Sequence, residues 1–557
     1  MKRSHLLICS YHKCTTFSTM ISVLTLLLLA SSALCDLRLD PLVDTKQGLI
    51  KGLRADDGDY AMFLGIPYGR VDDDNPFGVS QPYPKFDNVF EAFDDTAICP
   101  QVEEFNHTIV GTLDCLHLNI YVPNKATSKN KLPVLVWIHG GGFEFGFAGR
   151  YLYGPKFLIQ HDIILVTLNY RLGPYGFMCL DTPEVAGNQG LKDQVLALRW
   201  IKENIEEFGG KSDKITIFGE SAGAVSVELH ILSNNEKLYN QAILQSGSVF
   251  GDWVVTESDS TVPSKLARQL GFETDDIDDA LGFLKTADVK LVIAAASAIS
   301  LNTRVCVEKE YEGVESYLTT HPINIDKIAK ARDVAILTGF NNNEQLVAYL
   351  NTPAEEYINL DPFNSLLSSV FEMDKLDGTD TIMRRFYVGD EELTPSVKWD
   401  LINFHSDISF YHPVQRSLER FIDSGAKNVY HYLFSYTGDR NFVKKRMNIT
   451  EGGAAHADEL GYLFYMTMLD SISEDDMLIV ERITTMWTNF VKYGNPTPEV
   501  TELLPITWPP ASKDSLNYLD IDKTLNVATR AFSERMAFWD LFYIHNKHAV
   551  RGYVENE

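Results

Sequence analysis

The sequence is short of positive charge. It sets 49 lysines and arginines against 76 acidic residues, a formal net charge of −27. That balance excludes nucleic acid as a partner, because phosphate binding needs a basic surface. It also disfavours docking on anionic lipid and leaves solubility as the plain consequence of the charge. Cysteine is scarce too, with seven in 557 residues. No cysteine or histidine group has zinc-site spacing, so neither a metal nor another cofactor is expected. The apolar run "ISVLTLLLLA" (Ile21–Ala30) falls short of the roughly 20 residues that cross a bilayer, so no stable membrane anchor is expected. No repeat of fixed period and no low-complexity linker divides the chain.

What is present at the N-terminus has the form of a secretion signal. The apolar run is followed by "ALC" (Ala33–Cys35), a small-residue cleavage pattern. Residues 1–35 are therefore read as a signal peptide, with Met20 as the expected true start and the mature chain beginning near Asp36. Its end, "RGYVENE", carries no retention signal and follows no apolar tail, so a secreted, extracellular protein is expected. In that setting Cys99 and Cys115 read as a disulfide, worth about 3 kcal/mol by loop entropy. Cys179 and Cys306 have no partner nearby in sequence and read as buried thiols. Asn106-His-Thr108 and Asn448-Ile-Thr450 fit N-glycan acceptors.

Apolar, β-branched runs recur between helical patterns. Leu132–Ile138, Asp162–Tyr170, Lys214–Phe218, Gln241–Gln245, Val334–Gly339 and Val429–Tyr436 are apolar throughout instead of alternating, as in a sheet covered on both faces. Gly190–Gly209 reads as a helix with Leu196, Trp200 and Ile201 at helical spacing and a glycine stop. The alternation predicts an α/β fold with a mostly parallel, doubly wound sheet. The stretch from about Thr256 to Lys330 lacks strong strands and reads as a helical insertion. Residues 36–557 are taken as one catalytic domain.

The chemistry starts with "FGESAGAVS" (Phe218–Ser226). Gly219-Glu220-Ser221-Ala222-Gly223 fits G-x-S-x-G, in which a strained strand-to-helix turn presents a serine hydroxyl. Chance alone yields that pattern about 0.2 times in such a chain. "WIHGGGF" (Trp137–Phe143) ends another expected strand, and a histidine followed by three glycines should arise by chance only about 0.004 times. Such a loop frees backbone N–H groups to face a substrate oxygen, so Gly141, Gly142 and Ala222 are the expected oxyanion donors.

With "GIPYG" (Gly65–Gly69), "DCLHLNIYVP" (Asp114–Pro123), "NYRLGPYGF" (Asn169–Phe177), "GNQGLKDQ" (Gly187–Gln194) and "DISFYHP" (Asp407–Pro413), these motifs resemble the carboxylesterase/cholinesterase family of α/β hydrolases. The resemblance covers nearly everything after the signal. It implies the acid in "TGFNNNEQL" at Glu344 and the base in "GGAAHADELGYLF" at His456, chosen from fourteen histidines. Ser221, Glu344 and His456 would form the catalytic triad, with an acyl-enzyme intermediate. Glu220 reads as a structural hydrogen-bonding residue of the elbow and His139 as a support of the oxyanion loop. Trp253 is similar to an acyl-pocket aromatic of the family, and a plain core tryptophan is the competing reading.

Two departures stand out. Gln345 follows the acid where the family usually has glycine, and "GIPYGRVDDDNPF" (Gly65–Phe77) forms an acidic, lengthened loop expected at the rim of the gorge. The Cys99–Cys115 loop holds no tryptophan, which removes the best cation–π partner for an acetylcholine-like substrate. Juvenile-hormone esterases of the family carry Gln where Glu220 stands, which weakens that assignment. The histidine segment is similar to insect general and antennal carboxylesterases. A small neutral, hydrophobic ester is the expected substrate, with no protein partner, and an odorant, pheromone or xenobiotic ester fits that class. The alternative is an ester-sequestering or non-catalytic binding member of the family.

Overall fold

A computed structural model describes residues 40–555 apart from 377, 379 and 470. The expected signal peptide, with Cys9, Cys14 and Cys35, lies outside the described residues. The elements below belong to one unit, Val43–Glu557. Its frame is an eleven-stranded sheet. The strands are β1 (Leu53–Arg54), β2 (Tyr60–Pro67), β3 (His117–Pro123), β4 (Leu132–Ile138), β5 (Ile164–Leu168), β6 (Gly210–Glu220), β7 (Gln241–Gln245), β8 (Ala335–Asn341), β9 (Asn428–Phe434), β10 (Asn517–Ile521) and β11 (Asn526–Thr529). Their spatial order is β11-β10-β9-β8-β7-β6-β4-β5-β3-β2-β1. Pairing is parallel from β10 through β9, β8, β7, β6 and β4 to β5. It is antiparallel at both flanks.

The apolar runs have a direct physical cause. Along β4, Leu135 and Trp137 enter one core while Val134, Val136 and Ile138 enter another on the opposite face. Because successive side chains alternate between faces, a sheet buried on both sides needs every position apolar. Helix α1 (Gln189–Asn204) and helix α2 (Ala222–Leu232) cover the second face through Leu191, Val195, Val225 and Leu229. The expected helix from Gly190 thus stops five residues early, at Asn204.

The insertion after β7 holds α3 (Val262–Gln269), α4 (Ile277–Thr286) and α5 (Val289–Ala298), which share a small third core. It also contains a strand pair not expected from sequence, Val255–Thr256 with Val305–Cys306. Beyond β8 come α6 (His412–Asp423) and, before β10, α7 (Glu474–Tyr493), which buries Ile483, Trp487 and Phe490 in the first core.

One expectation is corrected. Cys179 and Cys306 are bonded to each other across 127 residues of sequence, a proximity that spacing conceals. Cys99 and Cys115 are bonded as expected. Among the described residues, none of the acidic loop after Gly65 lines the pocket at Ser221, which leaves its place at the rim as an expectation. Its Pro76 and Gly78 carbonyls instead accept from buried Arg171, which is paired with Asp193 at 2.8 Å, and Phe77 stacks on Tyr175.

Candidate active site

Ser221 is the single residue between the end of β6 and the start of α2. Its backbone stands at φ 57° and ψ −125°. For a residue with a Cβ this conformation costs roughly 1–3 kcal/mol and persists only where the surroundings impose it. They do so by close packing. A Cβ on Gly219 would lie 2.3 Å from the Gly223 carbonyl carbon, and one on Gly223 would lie 2.1 Å from the Ile138 oxygen. Ser221 N also donates to the Gln245 carbonyl at 2.9 Å. The turn is thus wedged between β4, β7 and its own helix.

The loop leaving β4 lies against it. A Cβ on Gly140 would stand 3.0 Å from the Ser221 Cβ. Gly141 and Gly142 take φ of 104° and 60°, a region open to glycine. His139 donates from Nδ1 to the Gly140 carbonyl at 2.8 Å, stacks on Tyr170, and receives the Tyr170 hydroxyl on its own carbonyl. Burial pushes this imidazole down to about 4, so it stays neutral and acts as a bracket. Arg304 is a second bracket, unforeseen from sequence. Its Nη1 donates to the Gly142 carbonyl at 3.0 Å and to Glu144 at 2.7 Å. Arg304 is itself anchored two residues before Cys306, whose backbone exchanges two hydrogen bonds with the Asn188 amide.

Glu344 is buried in the loop that follows β8. Its Oε1 accepts from Ser246 at 2.6 Å and from Asn341 N at 2.7 Å, and its Oε2 meets His456 Nδ1 at 2.6 Å. The backbone N–H of His456 also donates to the Glu344 carbonyl. Gln345 sits at φ −95°, so the usual glycine is not needed there. The other ring nitrogen is turned differently from the expected base. His456 Nε2 lies 3.2 Å from Glu220 Oε1, and among the described residues no hydrogen bond joins it to Ser221 Oγ. Glu220 is therefore more than a brace of the elbow. Among the described residues its buried Oε1 has no hydrogen-bond partner, and the His456 imidazole is the ion-pair partner beside it.

Burial raises the Glu220 carboxyl to about 8, with His456 opposing and Glu459 and Glu344 adding. Burial works against a charged His456, but Glu220 and Glu344 outweigh it and lift the imidazole to about 9. The two groups share protons as a coupled pair. Glu459, held by Gln245 and Asn341, is a third buried carboxyl nearby and is pushed up to about 7 by burial and Glu344. It lies three residues past His456 in the same quoted segment, yet nothing in its spacing marks it.

Ser221, Gly142 and Trp253 line one pocket of about 280 Å³ together with Asp252, Arg304, Gln345, His405, Ser409 and Phe410. Phe410 belongs to a π-helical turn, Asp407–Tyr411, and its ring stands 4.6 Å from that of His456. Such turns concentrate at functional sites. Gly141 lies in the loop after β4, and Ala222 is the first residue of α2, where free N–H groups favour negative charge. Asn106 and Asn448 are both exposed. Among the described residues no cluster of three potential ligands is placed to hold a metal.

A mostly parallel sheet with a strained serine at a strand-to-helix turn defines an α/β hydrolase. The sequence matches the carboxylesterase family over residues 39–539, and the chain belongs to that family. It is similar to the bile salt-activated lipase of Rattus norvegicus, 32% identical over 514 residues that cover 87% of this chain and 80% of the lipase. It is similar also to the juvenile hormone esterase of Heliothis virescens, 29% identical over 89% of this chain and 93% of the relative. The crystal structure of juvenile hormone esterase from Manduca sexta, with OTFP covalently attached, superposes with a TM-score of 0.80 at 27% identity. It covers 91% of this chain and 100% of that one. The protein is a carboxylic ester hydrolase.

Proposed function

We propose a secreted serine carboxylesterase with Ser221 as nucleophile, His456 as base and Glu344 as its orienting acid, in one catalytic domain from residue 36. The observation that carries this is the 2.6 Å Glu344–His456 contact beside a serine held at positive φ. For attack, the imidazole leaves Glu220 for the serine hydroxyl, a tightening common on substrate binding. A base must be neutral, so the competent state is the one in which His456 has lost its proton. His456 takes the Ser221 proton as the ester carbonyl is attacked, and Glu344 stabilises the imidazolium. Gly141, Gly142 and Ala222 N–H groups receive the oxyanion, where one donor is typically worth about 3–4 kcal/mol. The alcohol departs with the proton from His456, and water then releases the acid by the same route.

Trp253, packed 6.3 Å from Phe410 and 6.4 Å from Phe143, forms the acyl-side wall in this scheme. The aromatic lining favours neutral, fairly hydrophobic esters, including odorant, pheromone or xenobiotic esters. Relatives named as juvenile hormone esterases make that hormone a second candidate, which Glu220 in place of Gln disfavours. Two disulfides support an oxidising compartment, and exposed Asn106 and Asn448 are accessible to glycan transfer. Among the described residues no helix is long and apolar enough to cross a membrane.

The test is hydrolysis of short-, medium- and long-chain 4-nitrophenyl and naphthyl esters beside Ser221→Ala. Sustained turnover by the wild type, lost in the variant, supports the esterase. A single stoichiometric burst supports sequestration, and a folded wild type as inert as the variant supports a non-catalytic binding role.

A further inference from the structure

The largest cavity near the site is not the one at Ser221. A space of about 760 Å³ opens beyond Trp253, and Asp252, Trp253 and Arg304 line both it and the Ser221 pocket, so the two meet at that neck. Three arginines line this cavity, of which Arg304 is already paired with Glu144. Arg304 stands at the neck, Arg416 lies in the wall and Arg551 is at the rim, against Asp252 and exposed Glu257.

Arg416 is the unusual member. It projects from α6 with its guanidinium stacked between Phe250 at 3.9 Å and Tyr543 at 4.2 Å. Among the described residues no carboxylate pairs with it. The neighbouring acids are already engaged. Glu228 accepts from Arg420 at 2.9 Å, Ser417 at 2.7 Å and Val249 N at 3.0 Å. Asp540 lies 3.2 Å from His412 and 3.7 Å from Arg530. Two aromatic rings hold the guanidinium plane, and the Tyr543 side chain accepts from one of its N–H groups; among the described residues its remaining N–H groups meet no carboxylate, which suits a carboxylate ligand. Among the described residues Arg551 is tied by Nε and backbone N, to the Ser368 and Val370 carbonyls, and its terminal nitrogens meet no partner. His321, in the same lining, is kept neutral by burial and accepts from Ile323 N.

We propose that the cavity receives the far end of the acyl chain and that Arg416 pairs there with a terminal carboxylate, making half-esters of dicarboxylic acids substrates alongside neutral esters. The proposal rests on Ser221 as nucleophile and Trp253 as the acyl-side wall. Asp252 at the neck repels the anion, which directs it past the neck to Arg416 and so selects chain length. The reaction is ordinary hydrolysis: the acyl–oxygen bond to the alcohol breaks, the acyl–Ser221 bond forms, and water yields the free dicarboxylate and alcohol.

The experiment compares 4-nitrophenyl hydrogen succinate, adipate, suberate and sebacate with neutral 4-nitrophenyl alkanoates of matching length. The readout is the ratio of anionic to neutral kcat/KM, so a general loss of activity cancels. In the wild type this ratio should peak at one chain length. It should fall at least tenfold at that length in Arg416→Met, with Arg416→Lys between the two. A ratio flat with length, or unchanged in Arg416→Met, overturns the proposal. Calorimetry with suberate and sebacate on Ser221→Ala reads the cavity without turnover. Binding that disappears on adding Arg416→Met supports the site, and no binding overturns it. Failure of the neutral series alone counts against the esterase and leaves calorimetry to decide the cavity.

Discussion

At the scale of single residues, the proposed mechanism makes Glu220 and His456 the groups that set the response to pH. A protonated imidazole cannot accept the Ser221 proton, so kcat/KM rises as pH climbs through the pKa of His456. Glu220 and Glu344 raise that pKa, so the midpoint should lie above the 6.5 of a free imidazole. Glu220→Gln removes one of the two carboxylates, and the midpoint should move to lower pH. Profiles of kcat/KM on a neutral ester from pH 5 to 10 check both statements, and an unmoved midpoint would separate Glu220 from the base. Arg304 acts on the oxyanion loop through the Gly142 carbonyl. Arg304→Met should therefore lower kcat on a short neutral ester by about tenfold, a fraction of what losing an oxyanion donor costs. KM should change much less, and Arg304→Lys should recover part of the loss. Equal effects on kcat and KM would argue against a grip on the loop. Ser221 and Gly142 could be singled out because G-x-S-x-G and H-G-G-G are local motifs, whereas Trp253, Glu344 and His456 were marked by the family resemblance alone. Arg304, Glu459 and Arg416 were marked by neither, because a charged residue in an insertion or on a helix looks like a solvated one until its neighbours are known.

At the scale of elements, the elbow is held by contact between backbones. With Ile138 oxygen 2.1 Å from where a Gly223 Cβ would fall, Gly223→Ala must push β4 and α2 apart. The expected cost is about 3 kcal/mol or more, as for an overpacked core site, read as a lowered denaturation midpoint with activity lost. Gly282→Ala, in α4 where a Cβ meets nothing, should instead be neutral or slightly stabilising. The central strands were legible because double burial makes every position apolar, and Leu132–Ile138 and Gln241–Gln245 match β4 and β7 at both ends. The strand pair at Val255–Thr256 and Val305–Cys306 was not, since two residues carry no periodicity. The π-helical turn that brings Phe410 to His456 was hidden for a similar reason: one extra residue in a helix leaves no compositional mark.

At the scale of the whole molecule, the Cys179–Cys306 bond closes a span of 127 residues. Loop entropy assigns such a crosslink about 5 kcal/mol. The double variant Cys179→Ser/Cys306→Ser should lose a few kcal/mol of that in denaturant unfolding, and its Arg304 should hold Gly142 less firmly, so kcat should fall as well. An unchanged kcat would mean that Asn188 and the Lys192–Glu308 pair suffice to hold this segment. The fold class was readable from sequence because strand and helix patterns alternate. Contacts across such distances were not, since spacing says nothing about which remote segments a sheet brings together. The long spans have a further consequence in time. Glu344 and His456 are 112 residues apart, Ser221 is more distant still, and Ser221 and Glu344 follow different strands. With these three as the proposed triad, no partly formed sheet is active. During refolding, ester hydrolysis should return only after the helical circular dichroism signal has recovered, so the enzyme's own turnover serves as a clock for completion of its topology.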